Sequence, residues 1–240
     1  MDRKEINWLI EEKYKKGITK DFEKDICRLK NGEPIDYIIG FVYFLKAKID
    51  LSYKPLIPRP ETEFWAEKAV KETGKKEVLC LDLFSGSGCV GVAVLKNNKN
   101  AKVDFGEIDK NLLKQIKLNL NINKIKRERY NVFYSDIFSK IKKKYDYIFA
   151  NPPYIPEKRK NKVQKSVILF EKKEALFGKE DGLFYIRIFL KEVRKHLKKG
   201  GRAYLEFDSS QKKEIEKIEK EADFYRDQYG KWRFLIISKK

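Results

Sequence analysis

The sequence predicts an α/β protein built on a doubly wound, mainly parallel seven-stranded sheet that closes with a C-terminal antiparallel hairpin. Three observations carry this. After Gly74, short apolar runs rich in β-branched and aromatic residues alternate with stretches of helical periodicity, the rhythm of βαβ units. The first run, Val78–Phe84, ends in Ser85-Gly86-Ser87-Gly88 and opens into a helix-like stretch. Late in the chain, Phe224–Tyr229 and Trp232–Ile237 flank Gly230 as the arms of a hairpin.

The elements follow in order. Residues 1–31 read as a short N-terminal helical segment, with apolar residues at helical spacing (Ile6, Leu9, Ile10, then Phe22, Ile26, Leu29) broken near Gly17. Gly32 and Pro34 end it. Residues 32–60 read as a β-hairpin, from Tyr37 to Tyr53, and a linker crowded by Pro55, Pro58 and Pro60. Residues 61–240 form the main domain. Pro60 and the acidic turn Glu61–Glu63 predict a helix from Glu61 to Thr73. Strands are expected at Val78–Phe84, Val103–Ile108, Asn131–Ser135, Tyr145–Ala150 and Arg202–Phe207, with helices at Cys89–Leu95, Asn111–Asn121, Gly182–Leu197 and Ser210–Ala222.

Composition narrows the chemistry. The chain has 240 residues, enough for one such domain and a small appendage. Lys+Arg is 55 against Asp+Glu 36, a net charge of +19. Only 11 of those 55 are Arg, which favours a solvated lysine coat over a phosphate-reading surface; nonspecific contact with nucleic acid or the ribosome is the other reading. One histidine, His196, excludes a multi-histidine metal site, and Cys27, Cys80 and Cys89 form no CxxC pair, so no metal is expected. Met1–Lys20 is charged throughout, and no apolar run reaches the ~20 residues of a membrane span. A cytoplasmic monomer without membrane contact is the expectation. Trp8, Trp65 and Trp232 read as packing residues, and Cys89 as a small helix residue without a base beside it.

In a doubly wound sheet, ligands bind beyond the carboxyl ends of the strands at the switch in strand order. The chemistry-bearing residues fall at such ends. The turn Asp82-Leu83-Phe84-Ser85-Gly86-Ser87-Gly88 lets backbone approach a ligand and presents a helix N-terminus to a phosphate or a carboxylate. Gly86, Gly88 and Gly91 fit a dinucleotide pattern by letter, and no Gly-Lys-Ser/Thr follows, so the turn is not a P-loop. Glu107, at the next strand end, can accept both hydroxyls of a ribose; Asp109 reads as a helix N-cap. Asp136 can accept from an adenine amino group, with Ile137 packed on the ring; a helix cap is its blander reading. Together these features describe a nucleoside that carries a carboxylate, which is what S-adenosylmethionine is.

Asn151-Pro152-Pro153-Tyr154 follows the fourth strand. The prolines stiffen the turn and remove two donors. The Asn151 side-chain oxygen and the Pro152 carbonyl can then hold both hydrogens of a planar NH2 group, with Tyr154 as a flat face against it. Gripping those hydrogens draws the nitrogen lone pair out of conjugation and aims it at a methyl group.

These residues resemble a class I methyltransferase acting on planar nitrogens. The longer pattern resembles the HemK/PrmC family, which methylates the glutamine amide of peptide-chain release factors. The likeness rests on Gly32-x-Pro34-x-x-Tyr37-x-x-Gly40, on Leu56-Ile57-Pro58-Arg59-Pro60-Glu61-Thr62-Glu63, on Phe170-Glu171 through Ala175-Leu176, on Asp181-Gly182-Leu183, and on Leu205-Glu206 with Gln211. The resemblance implies S-adenosylmethionine against Phe84–Gly88, Glu107, Ile137 and Asn151, a substrate glutamine held by Asn151–Tyr154, and Arg59 to Glu63 (Arg59 and Glu61 above all) with Glu171 bordering its pocket, with a release factor as partner. Departures are Phe84 where the family has Gly, Glu107 where Asp is typical, Lys172 where Pro is preferred, and 31 residues before Gly32 where a larger helical bundle is usual. An adenine amino-group methyltransferase acting on RNA or DNA shares the Asn151 tetrad and is the alternative. A catalytically silent cofactor-binding or ribosome-associated module is the reading from another class.

Overall fold

The structure is a computed structural model and describes residues 3–15 and 17–240. Helices α1 (Arg3–Lys13), α2 (Asp21–Lys30) and α3 (Ile35–Ile39) pack around Leu9, Tyr14, Leu29 and Ile38. Helix α3 corrects the sequence expectation: Tyr37–Ile39 is helical, because Pro34 starts a turn that Gly40 ends in the left-handed region. The hairpin is therefore shorter than expected, β1 (Phe41–Phe44) against β2 (Ala47–Asp50). Its turn residues Leu45 and Lys46 both have positive φ without glycine. Side chains hold that turn: Leu45 N donates to Glu63 at 2.8 Å, and Asn97 donates to the Leu45 carbonyl at 2.9 Å.

The rest is the doubly wound sheet. Helix α4 (Pro60–Thr73) leads into β3 (Leu79–Leu83), α5 (Cys89–Asn97), β4 (Lys102–Glu107), α6 (Lys110–Ile122), β5 (Tyr130–Tyr134) and β6 (Tyr145–Ala150). After short helical turns come α7 (Lys165–Phe170), α8 (Phe184–Glu192), β7 (Leu197–Glu206), α9 (Lys212–Ile218), β8 (Asp223–Arg226) and β9 (Trp232–Ser238). Strand order is β5-β4-β3-β6-β7-β9-β8, parallel except where β9 meets β7 and β8. The order reverses between β3 and β6, which makes the crevice beyond those two strands the switch point.

Alternation along the strands builds two cores, one on each face. Phe105, Phe149, Tyr204 and Phe234 join Trp65 and Val92 on one side; Leu81, Ile148 and Leu205 join Ile186 and Phe189 on the other. Two expected helices come out shorter. The stretch from Gly182 to Leu197 is helical only over Phe184–Glu192 before a short turn, because Leu197 is drawn into the sheet opposite Tyr145. Helix α9 stops at Ile218.

The hairpin is stitched to the sheet domain by an amide ladder on α6. Gln115, Asn119 and Asn123 lie four residues apart and so share one helix face. Asn123 and Asn119 each receive a backbone N–H from β2 (Lys48 at 3.1 Å, Asp50 at 2.8 Å) and return a donor to the same residues' carbonyls. Gln115 accepts from Tyr53 N at 2.9 Å. These side chains satisfy the free edge of β2 as a third strand would. Asn119 also donates to the Ser87 carbonyl at 2.9 Å.

Candidate active site

Sheet register sets the site before any side chain is considered. Leu83 pairs with Gly106 on one side and Ala150 on the other, Ala150 pairs with Leu205, and Glu107 pairs with Tyr134. The next residues, Glu107, Phe84, Asn151 and Glu206, therefore leave the sheet in one row. Glu107, Phe84 and Asn151 border a cavity of about 620 Å³, a size suited to a cofactor with part of a substrate, and Glu206 lies buried behind its wall.

At one end of the row backbone geometry does the shaping. Phe84, Gly86 and Gly88 all have positive φ, of 57°, 56° and 77°. Glycine meets that need freely; Phe84 does not, and its ring is held edge-on against Tyr185 at 5.9 Å. Glu107 closes the turn: one oxygen accepts Gly86 N at 2.8 Å, the other accepts Ile108 N and Asp109 N at 2.8 and 2.9 Å. Burial raises the Glu107 pKa while these N–H groups oppose the rise. Asp82, fully desolvated behind the turn, accepts Gly91 N at 2.8 Å; burial pushes its carboxyl up to about 8. Ile137 is a β-branched residue at φ 46°, pinned by Ser135 Oγ, which donates to its carbonyl at 2.7 Å. Asp109 is the N-cap of α6, accepting Asn111 N at 2.7 Å. Burial pushes the Cys89 thiol up to about 12, so it is not a thiolate.

This donor set suits S-adenosylmethionine. The start of α5 offers N–H groups to a carboxylate, Glu107 keeps one acceptor site on Oε2 for a ribose hydroxyl, and Asp136 with Ile137 forms an edge and a face for a purine.

At the other end side chains do the shaping. Asn151 Nδ2 donates to Thr62 Oγ1 at 3.1 Å, Thr62 donates to Glu206 Oε2 at 2.7 Å, and Trp65 Nε1 donates to the same oxygen at 2.7 Å. The Tyr154 hydroxyl donates to Glu206 Oε1 at 2.9 Å. Glu206 is buried, and burial raises its pKa against the pull of these donors. Burial and Glu206 together hold the Tyr154 hydroxyl well above its usual range.

The Asn151–Tyr154 loop is braced from behind. Gly178 and Gly182 pass so close that a Cβ on either would meet the Pro153 carbonyl at 2.5 Å or the Tyr154 carbonyl at 2.2 Å. Gln211 donates to the Tyr154 carbonyl at 2.9 Å. Lys172 reaches across the mouth to Asp109.

Among the sequence-predicted residues, Asp82, Phe84, Ser85, Gly86, Ser87, Glu107, Asp136, Ile137, Asn151, Pro153 and Arg59 line the cavity. Gly88, Glu61, Pro152, Tyr154 and Glu171 do not. Tyr154 and Glu171 are held by polar partners of their own. The Tyr154 hydroxyl is anchored by Glu206, and its ring is half-buried. Glu171 is buried behind Arg59, accepting its Nη2 at 2.5 Å, and shapes the pocket through that arginine. Trp65 and Glu206 were missed as functional residues, and Thr62 was expected only as part of the pocket border. The signal was present in the Glu61-Thr62-Glu63 and Leu205-Glu206 motifs, but only the register shows that they meet.

Comparison with known proteins agrees with this architecture. The family model described as methyltransferase small domain matches residues 62–236. A release factor glutamine methyltransferase of Streptococcus pneumoniae is 32% identical over 91% of this chain and 80% of its own length. One from Thermodesulfovibrio yellowstonii is 38% identical over 80% of this chain and 69% of its own. A methyltransferase from Pyrococcus furiosus shares the fold, with TM-score 0.59 at 18% identity over 90% of this chain and 98% of that one. A Thermus thermophilus 16S rRNA methyltransferase solved with AdoMet and guanosine does so at TM-score 0.59 and 17% identity, over 83% of this chain and 50% of that one. Sequence likeness at this level across most of both chains, on a matching fold, places the chain in the family of release factor glutamine methyltransferases.

Proposed function

We propose that the chain transfers a methyl group from S-adenosylmethionine to the side-chain amide nitrogen of a glutamine in a protein, namely the Gly-Gly-Gln loop of a peptide-chain release factor. The observation that carries this reading is that Asn151 and the Phe84–Ser87 turn border one continuous cavity at the switch point.

The bound cofactor supplies an electrophilic methyl group on a sulfonium. Asn151 Oδ1 and the Pro152 carbonyl accept the two hydrogens of the glutamine NH2, and Arg59 and Pro153 border its approach. That grip weakens the conjugation of the nitrogen lone pair with its carbonyl and orients it. A C–N bond forms as the S–CH3 bond breaks, and the nitrogen gives up one proton to water. Asp82, Phe84, Ser85, Gly86, Ser87, Glu107, Asp136 and Ile137 serve the cofactor in this reading; Gly88 and Tyr154 support the two loops. Residues 1–31 and 32–60 form the substrate-facing units of a monomer, and residues 61–240 carry the chemistry.

The test is incubation with methyl-labelled cofactor and a release factor, beside a version whose loop glutamine is alanine. Label enters only the glutamine form, and Asn151→Ala lowers turnover by about 10²–10³-fold. Equal labelling of both forms overturns the reading. The net charge of +19 favours one second reading, methylation of an adenine amino group in RNA or DNA, or at least nonspecific contact with nucleic acid or the ribosome. An RNA oligonucleotide in the same assay distinguishes it.

A further inference from the structure

We propose that Thr62 and Glu206 are positioning residues that decide which end of the Asn151 amide faces the substrate. The inference rests on the glutamine-methylation reading and deepens it. An asparagine amide is nearly symmetric in shape: turned over, it would present NH2 rather than oxygen to the incoming glutamine, donor against donor. Packing alone does not select one orientation.

The hydrogen-bond chain does, and its polarity can be followed from one end. Trp65 Nε1 can only donate, so Glu206 Oε2, 2.7 Å away, must accept. Thr62 Oγ1 lies 2.7 Å from that oxygen and gives its single hydrogen there. Only lone pairs remain on Thr62 Oγ1 for Asn151, 3.1 Å away, so Asn151 must present its NH2 to Thr62. Oδ1 is then left as an acceptor. Tyr154 ties the other Glu206 oxygen at 2.9 Å and keeps the carboxylate from rotating.

The placement is dictated by the fold. Register sets Glu206 beside Asn151 in the sheet, and Thr62 and Trp65, three residues apart on α4, reach the same carboxylate from one helix face. Glu206 is 1% exposed and Thr62 3%, so water does not compete for these bonds. A buried carboxylate has a desolvation penalty, which the donors Thr62, Trp65 and Tyr154 offset here. Setting the polarity of Asn151 accounts for its presence.

Thr62→Val keeps the shape and removes the hydroxyl; Thr62→Ser keeps the hydroxyl. Three quantities are measured: kcat and KM with the release factor, the Kd of S-adenosylhomocysteine, and the side-chain NH2 resonances of Asn151 in nitrogen-15-labelled protein, identified by their loss in Asn151→Asp. We expect Thr62→Val to lower kcat by about 10–100-fold, with Kd within about two-fold of wild type and the Asn151 NH2 resonances displaced. Thr62→Ser recovers kcat to within about three-fold. Thr62→Ala replaces the valine variant if that one does not fold.

Wild-type kcat in Thr62→Val, or undisplaced NH2 resonances, overturns the inference. So does equal loss in the valine and serine variants with weakened cofactor binding, the mark of a merely structural role. Failure of the glutamine reading is distinct: the wild-type protein then labels no glutamine, and the resonance comparison alone decides the polarity of Asn151.

Discussion

The turns at Phe84–Gly88 and Asn151–Tyr154 leave neighbouring strands at the same edge of the sheet, yet they are held in different ways. The first is shaped by its own torsions, by glycines and by Glu107, 21 residues from Gly86. The second is shaped by partners brought from afar: Glu206 lies 144 residues from Thr62 and 52 from Tyr154, and Thr62 lies 89 from Asn151. A site for a diffusible cofactor needs a backbone that can be approached closely. A site that must discriminate the two ends of an amide needs hydrogen bonds of fixed polarity, and side chains supply those. A local motif thus suffices for the first and not for the second.

The contrast can be broken at its strongest points. Gly182→Ala sets a Cβ against the Tyr154 carbonyl at a residue whose φ is +77°, and Gly91→Ala sets one 2.3 Å from the Phe105 ring. Gly182→Ala loses the most stability, about 2–4 kcal/mol, and lowers kcat while cofactor affinity holds. Gly91→Ala loses about 1–3 kcal/mol and weakens cofactor affinity while kcat at saturation holds. Calorimetric titration with S-adenosylhomocysteine beside steady-state kinetics separates them; movement of the same parameter in both variants would erase the distinction.

Glu107→Gln sharpens it at lower amplitude. Gln can accept Ile108 N and Asp109 N with its oxygen, but then sets an NH2 against Gly86 N. Cofactor affinity drops about 10-fold, or about 1.4 kcal/mol, with kcat at saturating cofactor retained. Loss of kcat instead would assign Glu107 to the acceptor end.

A pH dependence of stability is expected at Asp82, behind the same turn. Burial raises its pKa from 3.8 to about 8, so the folded protein holds a proton that the unfolded chain releases. Stability contributed by this group is full below pH 3.8 and declines as pH rises toward about 8. Asp82→Asn keeps an acceptor for Gly91 N and removes the titration. Melting temperatures of the two proteins should diverge between pH 5 and 8, with the variant the more stable at the alkaline end. Parallel curves would mean that Asp82 is ionised throughout.

The same division explains what could be read in advance. Strand Tyr145–Ala150 and the helix from Pro60 were legible because apolar rhythm, proline and acidic first-turn residues are local signals. The position of Glu107, Asp136 and Asn151 at the cavity was legible because each stands at or just beyond a strand end. Helix α3 was not, since Tyr37–Ile39 carry β-prone side chains and only the flanking Pro34 and Gly40 argue for a turn of helix. Nor was the end of α8, where pairing of Leu197 with Tyr145 overrides a good helical pattern. The hairpin turn gave no signal, because Leu45 and Lys46 stand where Asn-Gly is usual and are held by Glu63 and Asn97. Roles for Thr62 and Glu206 needed the register. The contacts of Tyr154 with Glu206 and of Glu171 with Arg59 were not legible, since the partners lie 52 and 112 residues apart.

Asn119 spends one amide hydrogen on the β2 backbone at Asp50 and the other on Ser87, in the glycine turn. One short side chain is thus a splint between the hairpin and the loop that faces the nucleoside. A substitution that shortens it, Asn119→Ala, would loosen both at once.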